Sequence, residues 1–185
     1  FSGGIAMNIK LNKHIAEMSE VESLYVCASG GDESLSIGGC YYLNSKNNSE
    51  IQNKPLYNMS LGYDITSEYE KRDFLDIKDN FSVKEGVTAE ALAKLLESGD
   101  IIGLVRGRAE FGARALGNRS IITNPSLLDS VQRLNEAIKN RDFWMPFALS
   151  ILEEYSDDFI INPKGIQSPF MTIGFDTVLD NFKRG

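Results

Sequence analysis

Three features of the sequence predict an α/β fold. Two short apolar runs, residues 24–28 (LYVCA) and 101–105 (IIGLV), have the character of buried strands, and each leads into a glycine-rich turn. Segments with apolar residues at helical spacing alternate with them. The alternation recurs along the chain, and turns at the ends of strands in such folds are where nucleotides bind. With 185 residues, 42% of them hydrophobic, there is enough apolar surface for one ordinary core or two small ones.

Taken in order, residues 1–8 (FSGGIAMN) read as a Gly-Gly turn after a strand end. Over residues 9–18, Ile9, Leu11, Ile15, Ala16 and Met18 fit a short helix. Residues 24–28 fit a buried strand, followed by SGGD and a helix from about Glu33. Gly38 and Gly39 are poor helix formers, so a neighbour packed closely on their face is expected. Residues 44–54 are polar and unpatterned and read as a surface connection. Residues 56–87 read as linker with local structure, including a charged helix over 67–77.

Patterning resumes at Val87. Thr88 is a suitable N-cap, Glu90 suits the positive helix end, Leu92, Leu95 and Leu96 form an expected buried stripe, and Gly99 stops the helix. Strands are expected at 101–105 and 120–123. Asn124-Pro125 opens a helix with Leu127, Val131, Leu134 and Ile138 inward and Arg133, Asn135 and Lys139 outward. Residues 143–152 read as a buried strand or turn with Trp144 in the core, 157–165 as a loop, and 170–175 as a last strand. The chain divides accordingly into residues 1–50, a linker at 51–86, and residues 87–185. Opening on Phe1 and stopping at NFKRG, it reads as a fragment of a longer protein.

Net charge is −7, which disfavours general contact with nucleic acid or anionic membrane. Locally the balance reverses: between Arg106 and Arg141 stand six arginines and Lys139 against Glu110, Asp129 and Glu136. Basic residues concentrated in an acidic protein point to a focused anion site. Cys27 and Cys40 lack metal-ligand spacing and read as small core residues in a reducing compartment. No apolar run approaches the roughly 20 residues of a membrane span. A soluble cytoplasmic protein is expected.

The strongest chemical signal is residues 101–120, IIGLVRGRAEFGARALGNRS. Arg106, Arg108, Arg114 and Arg119 alternate with Gly107, Gly112 and Gly117. A guanidinium matches phosphate or carboxylate oxygens two at a time, and glycine lets backbone N–H groups approach a ligand. The competing reading is a basic turn paired with surface acids, or arginines that hold structure together. Asn118 adds an amide of the right size for a carbamoyl group, and Lys139 and Arg141 could complete a pocket. A weaker signal is the pair of Gly-Gly turns. Gly3, Gly4 and Gly31 could expose N–H groups to phosphate, Asn8 could hold a ribose or phosphate oxygen, and Asp32 could ligate a metal. The alternative is two tight turns with Asp32 capping the next helix. His14 reads as solvent-facing, Glu153, Glu154, Asp157 and Asp158 as a solvated face, and no acyl-enzyme triad can be assembled.

RAEFGARALGNRSI, LNEAIKNRDFW and PFALSIL together resemble the C-terminal domain of the O-carbamoyltransferases of the nodulation-protein-U and cephalosporin type. FSGGIAMN and ASGGDESLSIGG resemble the end of that family's actin-like ATPase domain. The resemblance implies an α/β chain in which the end of an actin-like domain joins part of a YrdC-like mixed-sheet domain. It implies ATP and carbamoyl phosphate as substrates, a carbamoyl-adenylate intermediate, and transfer to a small-molecule hydroxyl. By position it implies a divalent metal, iron or magnesium, on Asp32, and nucleotide contacts at Gly3, Gly4, Asn8 and Gly31. Carbamoyl phosphate and nucleotide contacts fall on Arg106, Arg108, Arg114, Asn118 and Arg119, with Arg114 and Arg119 catalytic. The sequence departs from the family's pattern at Ala113 and Leu149, where prolines are common, at Met145, where an arginine is usual, and at Arg106, where a glutamine is usual. A homodimer is compatible with the family. Two rivals are a nucleic-acid-binding YrdC-like module, opposed by the acidity and by the lack of aromatics in the basic stretch, and an actin-like ATPase without carbamoyl transfer, which would turn over ATP with no carbamoyl donor.

Overall fold

A computed structural model describes residues 1–47, 54, 56–66, 81–140, 142 and 147–178. The helix expected at 67–77, Arg141 and Trp144 lie outside the described residues. The rest is a mixture of helices and small antiparallel sheets, an α/β composition, divided into two compact units. The first comprises Phe1–Leu61, Glu110–Leu116 and Ile151–Lys183, and the second Gly62–Ala109, Gly117–Ser150 and Arg184–Gly185.

In the first unit, a 3-10 turn (Gly4–Met7) leads into α1 (Ile9–Glu17), which starts where Asn8 accepts a hydrogen bond from the Leu11 N–H at 3.1 Å. The other end of α1 is closed by a residue far along the chain. Lys164 Nζ donates to the carbonyl oxygens of Ala16 and Val21, each at 2.9 Å, and to that of Met18, placing a cation where the helix dipole is negative. Asn12 is wholly buried on α1 and donates to the Ala6 and Thr172 carbonyls, both at 2.7 Å.

Two apolar clusters form the core of this unit. One gathers Ala6, Ala16, Val26 and Ile173, the other Ala28, Met59 and Phe170. Residues 24–28 feed both, since Val26 and Ala28 alternate inward, yet they pair as no regular strand. The Val26 carbonyl instead accepts from the Thr172 hydroxyl at 3.4 Å. The alternation expected of a strand is therefore present without a ladder. Met59 is buried in the second cluster although it falls in the stretch read as linker.

After the second glycine turn, a short 3-10 segment (Asp32–Ser34) runs into α2 (Leu35–Asn47). The helix begins about where expected, but among the described residues no close neighbour covers its glycines. A Cβ at Gly38 or Gly39 would meet no atom within 4 Å, and no residue of α2 is buried. Cys40 is exposed and Cys27 half-buried, so neither is the core residue its apolar surroundings predict.

In the second unit, α3 (Ala89–Glu97) is capped as predicted: Thr88 accepts from the Ala91 N–H at 3.3 Å, and the Gly99 N–H donates to Leu96 O at 3.1 Å. Its leucine stripe is shallow, Leu92 and Leu96 being half-buried and Leu95 exposed. β1 (Ile102–Val105) and β2 (Arg119–Ile122) pair antiparallel, with Ile102 opposite Ile122 and Val105 opposite Arg119. A two-stranded sheet buries neither face fully, which is why β1 alternates half-buried with exposed and Val105 faces solvent.

α4 (Leu128–Arg133) starts later than the Asn124-Pro125 signal. Asn124 forms a turn instead, accepting from the Ser126 N–H at 3.0 Å. The helix then widens into a π turn, Leu134–Lys139. Such widening changes which side chains share a face. Leu134 is buried as predicted, but Asn135 is buried with it while Leu127 and Ile138 are exposed.

Near the end of the first unit, the expected 157–165 loop holds a short α5 (Ser156–Phe159) and β3 (Ile160–Ile161). β3 pairs with β4 (Asp176–Thr177), so the last strand follows rather than occupies 170–175, where Phe170 instead anchors the core. Leu149 and Leu152 are exposed, against the burial expected over 143–152. His14 and the acids Glu153, Glu154, Asp157 and Asp158 are exposed, as read from the sequence.

Candidate functional site

The two glycine turns at the start of the chain converge. A Cβ at Gly30 would lie 2.5 Å from the Gly3 carbonyl oxygen, a distance backbone cannot relieve, so only glycine permits the approach. The Gly30 N–H reaches Met7 Sδ at 3.4 Å, locking the second turn to the first. Glu33 closes the same turn by accepting from the Ser29 hydroxyl, and this hydrogen bond holds the Glu33 carboxyl below its usual range. Asn8, predicted to hold a ligand, has its amide oxygen committed to the α1 N-cap. Gly31 immediately precedes the 3-10 segment and carries no capping side chain; Asp32 follows it, exposed. The Asp32 carboxylate makes no cap hydrogen bond, contrary to the structural alternative for it. Among the described residues, no group of three or more His, Cys, Asp and Glu converges to hold a metal.

The arginine stretch is shared between the units. In the first, Phe111 and Leu116 pack on the second apolar cluster, and Glu110 accepts from the Leu116 N–H at 2.9 Å. Gly112, at φ 119°, sits so close to Ala28 that a Cβ would come within 2.9 Å of its carbonyl oxygen. The loop is thereby fixed at both ends. Arg114 lies between these anchors, exposed, with no hydrogen bond or ion pair among the described residues.

In the second unit, the arginines organise backbone. Arg119 Nη1 donates to the carbonyls of Arg106 at 2.6 Å and Asn118 at 2.8 Å, and Nη2 to Gly107 at 3.4 Å. Arg106 Nε donates to Gly117 O at 3.1 Å, and Asn118 Nδ2 to Arg108 O at 2.9 Å. Asp64 bridges to Arg108 through the backbone. Its carboxyl is held below the usual range, first by the Thr66 N–H and also by the nearby Arg108 and Arg119 charges. Arg106 and Arg119 thus hold backbone in the second unit, whereas Arg114, in the first, is exposed on a fixed loop.

Sequence reasoning missed Gly30 as the contact between the two turns, Glu33 as the support of the second turn, and Glu110 and Asp64 as supports of the arginine stretch. Gly30 could have been found as the first glycine of the second pair; the carboxylates carry no local signal. Lys139 is exposed.

Residues 93–183 match the family described as the carbamoyltransferase C-terminus. The chain belongs to the carbamoyltransferase family. It is 36% identical over 178 residues to an uncharacterized protein of Methanocaldococcus jannaschii, covering 93% of this chain and 32% of that protein. It is 31% identical over 178 residues to nodulation protein NolO of Bradyrhizobium diazoefficiens, covering 92% of this chain and 32% of that protein. A 63-residue stretch is 44% identical to nodulation protein U of Azorhizobium caulinodans, covering 34% of this chain and 11% of that protein. The chain thus spans about a third of the length of the first two of these relatives.

Proposed function

We propose that the chain is part of an ATP-dependent O-carbamoyltransferase. In this reading water first cleaves carbamoyl phosphate to carbamate and inorganic phosphate, and a carbamate oxygen then attacks the α-phosphorus of ATP, displacing pyrophosphate. The acceptor hydroxyl then attacks the carbamoyl carbon and AMP leaves. Arg114 is the residue we assign to the transferring anion, and the observation that carries the assignment is its free guanidinium on a loop anchored at Gly112 and Glu110. A guanidinium held in place stabilises developing negative charge without reorganising during the reaction. In the second unit, Arg119, Arg106 and Asn118 shape the backbone, and they and Arg108 are proposed carbamoyl phosphate and nucleotide contacts on the strength of the resemblance. Gly3, Gly4, Asn8 and Gly31 are the proposed nucleotide-contacting positions. Their support is the contact between the two turns, together with the amide nitrogen that remains to Asn8.

Asp32 fits a divalent cation as one hard oxygen ligand, because its exposed carboxylate is not committed to a cap. Bound there, such an ion would neutralise phosphate charge. The actin-like and YrdC-like assignments of the two parts, a cytoplasmic location and a homodimer belong to the same proposal. Among the described residues no helix is long and apolar enough to cross a membrane.

The test is direct trapping of carbamoyl-adenylate by mass spectrometry, using the full-length protein with ATP and carbamoyl phosphate. Arg114→Ala is expected to lower its formation at least a hundredfold. Formation at the wild-type rate in that variant rejects the assignment.

A further inference from the structure

The first unit contains a cleft of about 610 Å³ that none of the residues assigned above lines. Its size lies in the range of small-molecule sites. One wall is a single stripe of the α2 region, Ser34, Ile37, Gly38 and Tyr41, spaced i, i+3, i+4 and i+7. Gly38 is the informative member. Glycine is costly inside a helix, and a Cβ there would meet nothing within 4 Å, so no packing neighbour among the described residues requires it. Its absent side chain leaves part of the cleft open.

The other walls are aromatic. Tyr25 and Tyr57 join Tyr41, and the hydroxyls of Tyr25 and Tyr41 donate to the Leu56 and Lys54 carbonyls. These hydrogen bonds fix two of the rings, and Tyr25 is further braced edge-on against Phe170, with centroids 6.1 Å apart. Burial pushes the Tyr25 phenol up, and the nearby Cys27, Tyr41 and Tyr57 add to the effect, in keeping with their convergence on one space. Lys54 is the single charged lining residue, with no carboxylate beside it in the lining and no ion pair among the described residues. In a chain of net charge −7, such a cation in an aromatic cleft is selective for an anion. The smaller cavity of about 290 Å³ differs in this respect, because its cations are committed: Lys13 to Asp176 and Lys164 to the end of α1.

We propose that this cleft binds a small aromatic carboxylic acid, its ring against the tyrosines and above Gly38, its carboxylate on Lys54. The inference rests on the lining of the first unit alone and stands apart from the carbamoyl reading.

Calorimetry of the full-length protein with indole-3-acetate and its neutral analogue indole-3-ethanol tests it. The acid is expected to bind about tenfold more tightly than the alcohol, and Lys54→Gln to erase that difference. Gly38→Leu is expected to weaken both ligands at least tenfold while the thermal midpoint holds or rises, because leucine is the better helix former. Equal affinity for acid and alcohol in the wild type overturns the proposal, as does unchanged binding in a folded Gly38→Leu variant. Tighter binding of AMP than of the acid at this cleft also overturns it, assigning the space to a nucleotide.

Discussion

Arg114 and Arg119 carry the same charge five positions apart and have opposite situations. Arg119 is half-buried and bonded to the carbonyls of Arg106, Gly107 and Asn118, whereas Arg114 is exposed with no partner among the described residues. Removing a charged donor from carbonyls it satisfies costs about 1–3 kcal/mol, while truncating an exposed side chain costs within about 0.5 kcal/mol. Urea denaturation is therefore expected to show Arg119→Ala destabilised and Arg114→Ala unchanged. Loss of stability in Arg114→Ala, or none in Arg119→Ala, contradicts this division. A second residue-scale expectation concerns acid. The Glu33 carboxyl is lowered in the folded chain, chiefly by the Ser29 hydroxyl. Its contribution is therefore complete above the unfolded value of about 4.5 and is lost as pH falls through the folded one. Ser29→Ala should lower the thermal midpoint at neutral pH, where the contribution is complete, and flatten its fall below about pH 4.5, so that variant and wild type converge in acid. An unaltered acid limb would show that the Ser29 contact does not couple to folding.

At the scale of elements, caps were legible and burial was not. Thr88 and Gly99 bound α3 as local chemistry requires, and the start of α1 followed from its apolar spacing. The sequence shows Asn8 as a candidate ligand contact and gives no sign that its amide oxygen also caps that helix, because only the fold brings the Leu11 N–H to it. The leucines of α3, the outward face of α4 and the strand at 24–28 depend on distant neighbours that periodicity cannot supply. The π turn at Leu134–Lys139, which brings Asn135 inside, has no composition signal. The glycines of α2 give the sharpest test. With open space at both positions, Gly39→Ala is expected to raise stability by about 0.8–1 kcal/mol. A destabilised variant would mean that something covers this face in solution.

For the whole chain, the glycine turns and the arginine stretch are both recognisable from the sequence, since each combines unusual residues at close spacing. The contact of Gly3 with Gly30 and the anchoring of the arginine loop on Ala28 are not, because each joins residues distant in sequence. Asn12 shows the same point in the core: it ties α1 to Thr172 across most of the chain. The difference between arginines bonded to backbone and Arg114, exposed with no partner among the described residues, likewise emerges only from geometry, and it is the ground of our proposal for Arg114. Whether this geometry serves carbamoyl activation by ATP is tested most directly by exchange of labelled pyrophosphate into ATP, catalysed by the full-length protein. Exchange is predicted only when carbamoyl phosphate is present, and is predicted to be lost in Arg114→Ala. Exchange that proceeds equally without carbamoyl phosphate, or survives in that variant, would contradict the assignment.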